Sequence, residues 1–374
     1  MPVQGNIMRT KMHEIAALGQ SLWIDNISRS MIASGRLKSL IDQGLRGQTS
    51  NPTIFKQAVT SSTDYDSRII ELTEAGKSAF EIYDDLTIKD VQDAADIFKE
   101  VYAETKGLDG YVSLEINPKL GREIQAQFTE GLRLWKKLAR PNVMIKVPAT
   151  KNGCLVVEQL IAEGVNVNAT LIFSAEQYQQ VAWSYIKGLS RFAQKGGDVS
   201  KVRSVASIFV SRIDTAVDKW LGEEKASLKG RAAVHNCAII FHKFGQTFAG
   251  ADFKTLEAKG AHVQRVLWAS TGTKDPRYSD IKYVTELIVP PTVNTLPEKT
   301  LEAFLDHGTL KTAAVFKDVA ASQRALEELR TLGMDVNVLC LKLLDEGLLA
   351  FERSFEELTA CIEEKTKKLC ARGL

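Results

Sequence analysis

A lysine stands in the middle of an apolar segment of the sequence. In the stretch NVMIKVPAT, every second residue from Val143 onward is apolar and lies on one face of a predicted strand, so Lys146 points to the other face. A buried ammonium group is costly unless it is paired, neutralised or used in chemistry. Desolvation favours the neutral amine of a lysine, and a neutral amine attacks carbonyl carbons to form a Schiff base.

Other polar side chains occur at or near the carboxyl ends of successive predicted strands. They are Asp25, Thr49, Asn51, Glu115, Asn168, Thr170, Ser207, Arg212 and Ser270. A Schiff base makes an adjacent carbon–carbon bond breakable, and two carboxylates in different surroundings can divide the required proton transfers between them. One acid removes water from the carbinolamine, while one base takes the proton of the hydroxyl that becomes the new carbonyl. A lysine beside two carboxylates therefore indicates class I aldol chemistry.

The elements that must position these residues alternate between short apolar strands and longer amphipathic helices. The predicted strands are Gln20–Asp25, the short segment LRGQTSNP, Tyr111–Ile116, the segment NVMIKVP, Val165–Ser174, Arg203–Ser211, Gln264–Ser270 and Thr285–Pro291. This order predicts an α/β fold, a parallel (β/α)8 TIM barrel, which typically needs about 250 residues and collects its catalytic residues at the carboxyl ends of the strands. An open doubly wound sheet is the alternative, but the glycine-rich first turn typical of that fold is absent from the sequence.

The C-terminal part of the chain continues beyond the eighth predicted strand with further helices. We predict a single domain over residues 1–374, in which 336–371 form a helical C-terminal extension with an apolar stripe. Such a stripe can pack across the barrel or mediate dimerisation. A monomer and a homodimer therefore both remain open.

Composition and charge exclude several classes of protein. The chain has 48 basic and 46 acidic residues, a net charge of +2, which gives no reason to expect nucleic acid or an anionic membrane as a partner. The cysteine count of 5 is odd and contains no C-x-x-C pair, so reduced thiols and a cytoplasmic location are expected. No signal peptide, membrane-spanning run or metal-ligand spacing is present in the sequence, and we predict neither a metal nor a cofactor.

Each of these residues taken singly has a simpler structural interpretation. Lys146 could be an edge lysine, Asp25 the N-cap of the next helix, and Asn51 a turn former before proline. Glu115 could form a buried ion pair with Lys146 that has no catalytic role. The catalytic interpretation is favoured because all of these residues occupy the same end of different strands, which independent structural roles would not require.

Six motifs, in chain order, resemble the transaldolase family in its longer bacterial form. They are SLWIDNISR, GQTSNPTIF, YVSLEINP, VMIKVPAT, VNVNATLIFS and PPTVNTLPEKTLEAF. The match runs from about Leu18 to the helices after Lys311. The resemblance implies a barrel without metal or cofactor that transfers a dihydroxyacetone unit in the non-oxidative pentose phosphate pathway. The donor is sedoheptulose 7-phosphate or fructose 6-phosphate, and the acceptor is glyceraldehyde 3-phosphate or erythrose 4-phosphate.

The resemblance also implies a role for each catalytic residue. Lys146 is similar to the Schiff-base lysine, and Asp25 to the carboxylate that takes and returns the proton of the donor's C4 hydroxyl. Glu115 and Thr170 are similar to the pair that handles the water of the carbinolamine.

The implied substrate-binding residues fall into two groups. Thr49, Asn51, Asn168, Ser207 and Phe209 correspond to residues around the dihydroxyacetone unit and the water site, whereas Arg212 and Ser270 correspond to phosphate contacts. The chain departs from the family in one place, because Gly272 stands where an arginine follows the serine. We predict that Lys274 supplies the missing charge.

Two other functions remain open at this stage. Fructose 6-phosphate aldolases of the same superfamily release dihydroxyacetone into water, but they are shorter and carry Gln and Tyr where Glu115 and Phe209 stand here. A non-catalytic sugar-phosphate-binding barrel would be expected to have lost the lysine or a carboxylate. This chain retains both.

Overall fold

The fold is a closed parallel barrel, as predicted from the sequence. The structure is a computed structural model that describes residues 9–223 and 225–372. Eight strands pair in chain order and close between the first and the last. They are β1 (Gln20–Asp25), β2 (Gly47–Thr49), β3 (Tyr111–Glu115), β4 (Val143–Pro148), β5 (Val167–Ile172), β6 (Ser204–Phe209), β7 (Arg265–Ala269) and β8 (Thr292–Leu296).

Helices surround the barrel and connect its strands. In the described residues they are α1 (Lys11–Ala17), α2 (Arg29–Ala33), α3 (Arg36–Asp42), α4 (Pro52–Thr60), α5 (Asp66–Glu74), α6 (Ala79–Ile97), α7 (Lys99–Glu104), α8 (Ile124–Leu138), α9 (Lys151–Ile161), α10 (Ala175–Gln194), α11 (Ser211–Leu221), α12 (Ala232–Phe248), α13 (Ala251–Glu257), α14 (Lys282–Thr285), α15 (Glu298–His307), α16 (Val319–Thr331) and α17 (Val336–Arg372). Several begin at side-chain caps, for example α2 at Ser28 and α10 at Ser174, whose hydroxyls accept backbone N–H groups of the first turn.

The predicted eighth strand was wrong, and the true strand starts after the prolines. The predicted segment Thr285–Pro291 begins at the last residue of α14 and continues as a loop, whereas β8 is the more polar segment that follows it. Proline has no N–H to donate to a ladder, which explains why pairing with β1 begins at Thr292. Polar residues of β8 bond to other parts of the chain: the Asn294 amide nitrogen donates to the Tyr283 carbonyl oxygen at 3.1 Å, and the Thr295 hydroxyl lies 2.7 Å from that of Thr49.

Strand register aligns the functional residues laterally. Glu115 of β3 pairs with Lys146 of β4, and Lys146 pairs in turn with Asn168 of β5. On the adjoining strands, Asp25 of β1 pairs with Thr49 of β2. Side chains of directly paired residues on neighbouring strands point to the same face of a sheet. The register therefore places these side chains next to one another inside the barrel, near its mouth.

A buried ion pair closes the opposite, amino-terminal end of the barrel. Arg265, the first residue of β7, lies 2.7 Å from the Asp109 carboxylate, and both side chains are less than a tenth exposed. Asp109 also accepts a hydrogen bond of 2.7 Å from the Ser21 hydroxyl and one of 3.3 Å from the Trp23 indole. The guanidinium and the carboxylate thus form hydrogen bonds with each other and with neighbouring groups inside the barrel, and their charges compensate one another.

The segment predicted as a C-terminal extension is one long helix, α17, which packs across the barrel. Ser354 lies 2.8 Å from Thr53 of α4, and Glu357 lies 2.6 Å from Lys56 of the same helix. Further along, Lys365 pairs with Asp66 of α5 at 2.7 Å. Among the described residues, no helix is long and apolar enough to cross a membrane.

Removing the carboxylate of the barrel-bottom ion pair is expected to destabilise the fold strongly. Asp109→Ala leaves the Arg265 guanidinium buried and unpaired, which typically costs about 3–5 kcal/mol. Urea unfolding followed by circular dichroism measures this cost. Asp42→Ala, which breaks an exposed i,i+4 pair with Lys38, is the control and should cost about 0–1 kcal/mol. Equal losses for the two variants would contradict a stabilising role for the buried pair.

Candidate active site

A cavity of about 330 Å³ opens at the carboxyl ends of the strands. Most of the residues predicted from the sequence line it. They are Asp25, Thr49, Asn51, Lys146, Thr170, Ser207, Phe209, Arg212, Ser270 and Lys274. The other two predicted residues, Glu115 and Asn168, lie immediately behind this wall and contact residues that line it. The structure therefore brings all of the predicted site residues together.

Lys146 is buried at the floor of the cavity with few partners. Its ammonium group donates a hydrogen bond of 2.8 Å to the Ser50 carbonyl oxygen and lies 3.5 Å from Glu115 Oε2. The side chain is 5% exposed, which leaves it reachable only from the cavity. A lysine held in this way can present its nitrogen to one bound molecule and not to bulk water.

Glu115 and Thr170 provide buried polar atoms without partners beside the lysine. The two carboxylate oxygens of Glu115 and the Thr170 hydroxyl have no hydrogen-bond partner among the described residues. Burial raises the pKa of Glu115, and the nearby Lys146 only partly opposes this shift. Unsatisfied buried polar groups call for an explanation, and a bound water or substrate hydroxyl would supply one.

Asp25 faces Lys146 from across the cavity and is oriented by a threonine. The Thr49 hydroxyl donates a hydrogen bond of 2.7 Å to Asp25 Oδ1 and lies 2.7 Å from the Thr295 hydroxyl. Burial raises the pKa of Asp25, while Lys146, the Thr49 hydrogen bond and Lys274 act in the opposite direction. Asp25 does not cap α2, because Ser28 occupies that position.

An amide and hydroxyl network supports the side of the cavity formed by β5 and β6. Asn168 accepts a hydrogen bond of 2.7 Å from Ser207 and donates one of 3.1 Å to the Ser113 hydroxyl. These bonds fix the amide orientation within the barrel. Asn51 has two roles, since its side-chain oxygen caps α4 at Ile54 N while the residue also lines the cavity.

Two cations and a serine form the outer end of the cavity. The Arg212 guanidinium lies 5.4 Å from the centre of the Phe209 ring, and burial lowers its pKa. Lys274 Nζ lies only 3.9 Å from the position that a Cβ at Gly272 would take. Ser270, which follows β7 and also lines the cavity, contacts the Ser211 hydroxyl at 3.1 Å. This end of the cavity therefore suits an anionic group.

The chain is similar in sequence to known proteins of one family. The profile of the family described as transaldolase/fructose-6-phosphate aldolase matches residues 22–362. The chain belongs to this family. It is 44% identical to a transaldolase of Trichodesmium erythraeum over 371 residues, which cover 95% of this chain and 97% of that protein. Transaldolases of Saccharopolyspora erythraea and Mycolicibacterium smegmatis are 43% and 41% identical, covering 95% and 92% of this chain and 98% and 94% of their own lengths, respectively.

The structure adds cavity residues to this transaldolase-family site that the sequence did not indicate. They are Thr53, Ile54, Gln57, Ala269, Thr295, Pro297 and Phe351. Thr295 was missed because β8 was misplaced; a correct strand boundary would have revealed it. Phe351 lies on α17, far along the chain, and an apolar residue on an amphipathic helix carries no signal of a functional position.

Helix α11, which carries Arg212 in this transaldolase-family barrel, is held by a buried carboxyl group. Asp214 accepts hydrogen bonds of 2.8 Å from Ala233 N at the start of α12 and 2.8 Å from the Tyr283 hydroxyl of α14. Burial raises the pKa of Asp214 to about 6, with both hydrogen bonds opposing the shift. Asp214 thus links three helices next to the cationic end of the cavity.

Asp214 is expected to make stability depend on pH. Because its pKa is raised in the folded state, the protonated form favours folding, and this contribution is lost as the pH rises from about 4 through about 6. In Asp214→Asn, the amide oxygen can accept from Ala233 N while the NH2 group donates to the Tyr283 hydroxyl oxygen. This variant should therefore gain stability relative to the wild type by roughly 2 kcal/mol between pH 4 and pH 7. Urea midpoints at the two pH values measure the difference. A stability difference that does not change with pH would contradict the assignment.

Proposed function

We propose that this protein is a transaldolase that moves a dihydroxyacetone unit from a ketose phosphate to an aldose phosphate through a Schiff base on Lys146. The observation that carries the proposal is the setting of the lysine, which is buried at the floor of a cavity between Asp25 and Glu115. The donors are sedoheptulose 7-phosphate and fructose 6-phosphate, and the acceptors are glyceraldehyde 3-phosphate and erythrose 4-phosphate.

The proposed reaction begins with attack of the Lys146 amine on the ketose carbonyl. Glu115, whose raised pKa suits a proton donor, acts with Thr170 on the water that leaves the carbinolamine. Asp25 then takes the proton of the C4 hydroxyl, the C3–C4 bond breaks, and the aldose phosphate departs. The enamine that stays on Lys146 attacks the carbonyl carbon of the acceptor, and the same steps in reverse release the new ketose phosphate.

The cationic end of the cavity is proposed to bind the phosphate of either sugar. Arg212 can present two parallel N–H donors to a phosphate, while Lys274 adds a point charge from the loop after β7. The position of Lys274 Nζ beside Gly272 supports the idea that this lysine replaces the arginine found elsewhere in the family.

Transfer is favoured over simple aldolase activity by Glu115 and Phe209, which stand where the shorter aldolases carry Gln and Tyr. A non-catalytic binding function is disfavoured because the chain keeps the lysine and both carboxylates. The described cysteines are unpaired thiols, which supports a cytoplasmic location. A monomer and a homodimer both remain compatible with this proposal.

Borohydride reduction should trap a covalent adduct at Lys146. Incubation with fructose 6-phosphate and borohydride, followed by peptide mass spectrometry, is expected to locate the adduct on this residue. Lys146→Ala should lose both adduct and turnover while keeping the wild-type circular dichroism spectrum. Lys282→Ala is the control variant, because Lys282 is a buried lysine that is ion-paired with Glu286 outside the cavity. This variant should still form the adduct at Lys146. Turnover in folded Lys146→Ala protein would refute the mechanism.

Removal of the Lys274 charge should weaken the binding of phosphorylated sugars. A charge-assisted hydrogen bond contributes about 1.5–3 kcal/mol, so Lys274→Ala is expected to raise the KM for fructose 6-phosphate by about tenfold or more, with a smaller change in kcat. Lys299→Ala, which removes an exposed lysine near the barrel rim, is the control. Equal KM values for Lys274→Ala and wild type would show that Arg212 and Ser270 suffice.

A further inference from the structure

The C-terminal helix contributes one wall of the catalytic cavity. The ring of Phe351 lines the cavity, its centre lies 5.9 Å from Lys146 Nζ, and the residue is only 4% exposed. The strands of the barrel supply the floor of the site, but this part of its cover comes from a helix that lies outside the βα repeat.

The approach of α17 to the site depends on Gly347, one helical turn before Phe351. A Cβ at this position would lie 2.9 Å from Leu171 Cδ2 and 3.5 Å from Arg212 Nη1. Leu171 itself has a left-handed backbone (φ 58°) at an irregularity in the pairing of β5 with β6, and it is fully buried. The helix is therefore seated directly on the strand that carries Asn168 and Thr170.

The position of the Phe351 ring bears on the fate of the enzyme-bound intermediate. After the first aldose phosphate leaves, the enamine on Lys146 can meet either an acceptor aldehyde or water. In the second case, the enamine carbon takes a proton, water adds to the iminium carbon, and the C–N bond breaks to give dihydroxyacetone and the free amine. Hydrolysis of an iminium also completes the transfer reaction, so the step that commits the intermediate to release is protonation of the enamine carbon, and water that enters beside Lys146 can supply that proton.

We propose that Phe351 is a specificity-determining residue that shields the Lys146 intermediate from water and so favours transfer over release of dihydroxyacetone. This inference rests on the proposed function. An aromatic ring next to Nζ excludes water from that side of the nitrogen, and its face also attracts the cationic iminium state. The helical extension then has a chemical role in addition to its packing role.

The ratio of release to transfer tests this role. Release is the rate at which fructose 6-phosphate alone yields free dihydroxyacetone, and transfer is the rate of sedoheptulose 7-phosphate formation with saturating erythrose 4-phosphate. Opening the site to water in Phe351→Ala is expected to raise the ratio by about tenfold, and Phe351→Leu should give a smaller rise.

A matched control separates shielding from simple loosening of the helix. Phe355 lies one turn further along α17, is equally buried, and packs against Tyr83 with ring centres 5.0 Å apart. Phe355→Ala removes the same ring from the same helix without opening the cavity, so its ratio should stay at the wild-type value. An unchanged ratio in Phe351→Ala, or equal ratios in Phe351→Ala and Phe355→Ala, would overturn the inference.

Borohydride trapping distinguishes a failure of this inference from a failure of the proposed function. If the wild-type protein forms no adduct at Lys146, the Schiff-base function itself fails. If wild-type and Phe351→Ala proteins both form the adduct while their ratios agree, only the shielding role of Phe351 fails.

Discussion

The lateral register of the strands is the constraint on which the active site depends. Pairing of β3, β4 and β5 places Glu115, Lys146 and Asn168 side by side, while β1 and β2 place Asp25 beside Thr49. A shift of one residue in any of these strands would turn its functional side chain away from the barrel interior, because side chains alternate between the two faces. The backbone hydrogen bonds of the barrel therefore set the geometry of the chemistry.

Buried charged groups have different surroundings at the two ends of the barrel. At the amino-terminal end, Arg265 and Asp109 are hydrogen-bonded to each other and to neighbouring groups, so their charges compensate one another inside the fold. At the mouth, Glu115 has no hydrogen-bond partner among the described residues and its pKa is raised by burial. A polar group left unsatisfied in this way costs stability, and such costs are typical of functional sites.

The C-terminal helix couples the periphery of the fold to the site. Contacts with α4 and α5 hold α17 across the barrel, while Gly347 and Phe351 bring its backbone and one ring down to the cavity. Arg212 and Leu171 both lie against this helix, so the arginine proposed to bind phosphate, strand β5 and the ring beside Lys146 all contact α17. A change in the seating of α17 is therefore expected to affect several parts of the site together.

The sequence by itself determined the barrel, seven of its strands and the residues at their carboxyl ends, because alternation of apolar residues and strand-end polarity are local properties of the chain. The apolar run before Pro291 misled the prediction of β8, since hydrophobicity alone does not reveal that ladder pairing starts only after the prolines. Only the tertiary structure showed that Phe351 covers Lys146 and that α17 packs against α4. These facts depend on which surfaces meet after folding, and residues two hundred positions apart carry no local pattern that relates them.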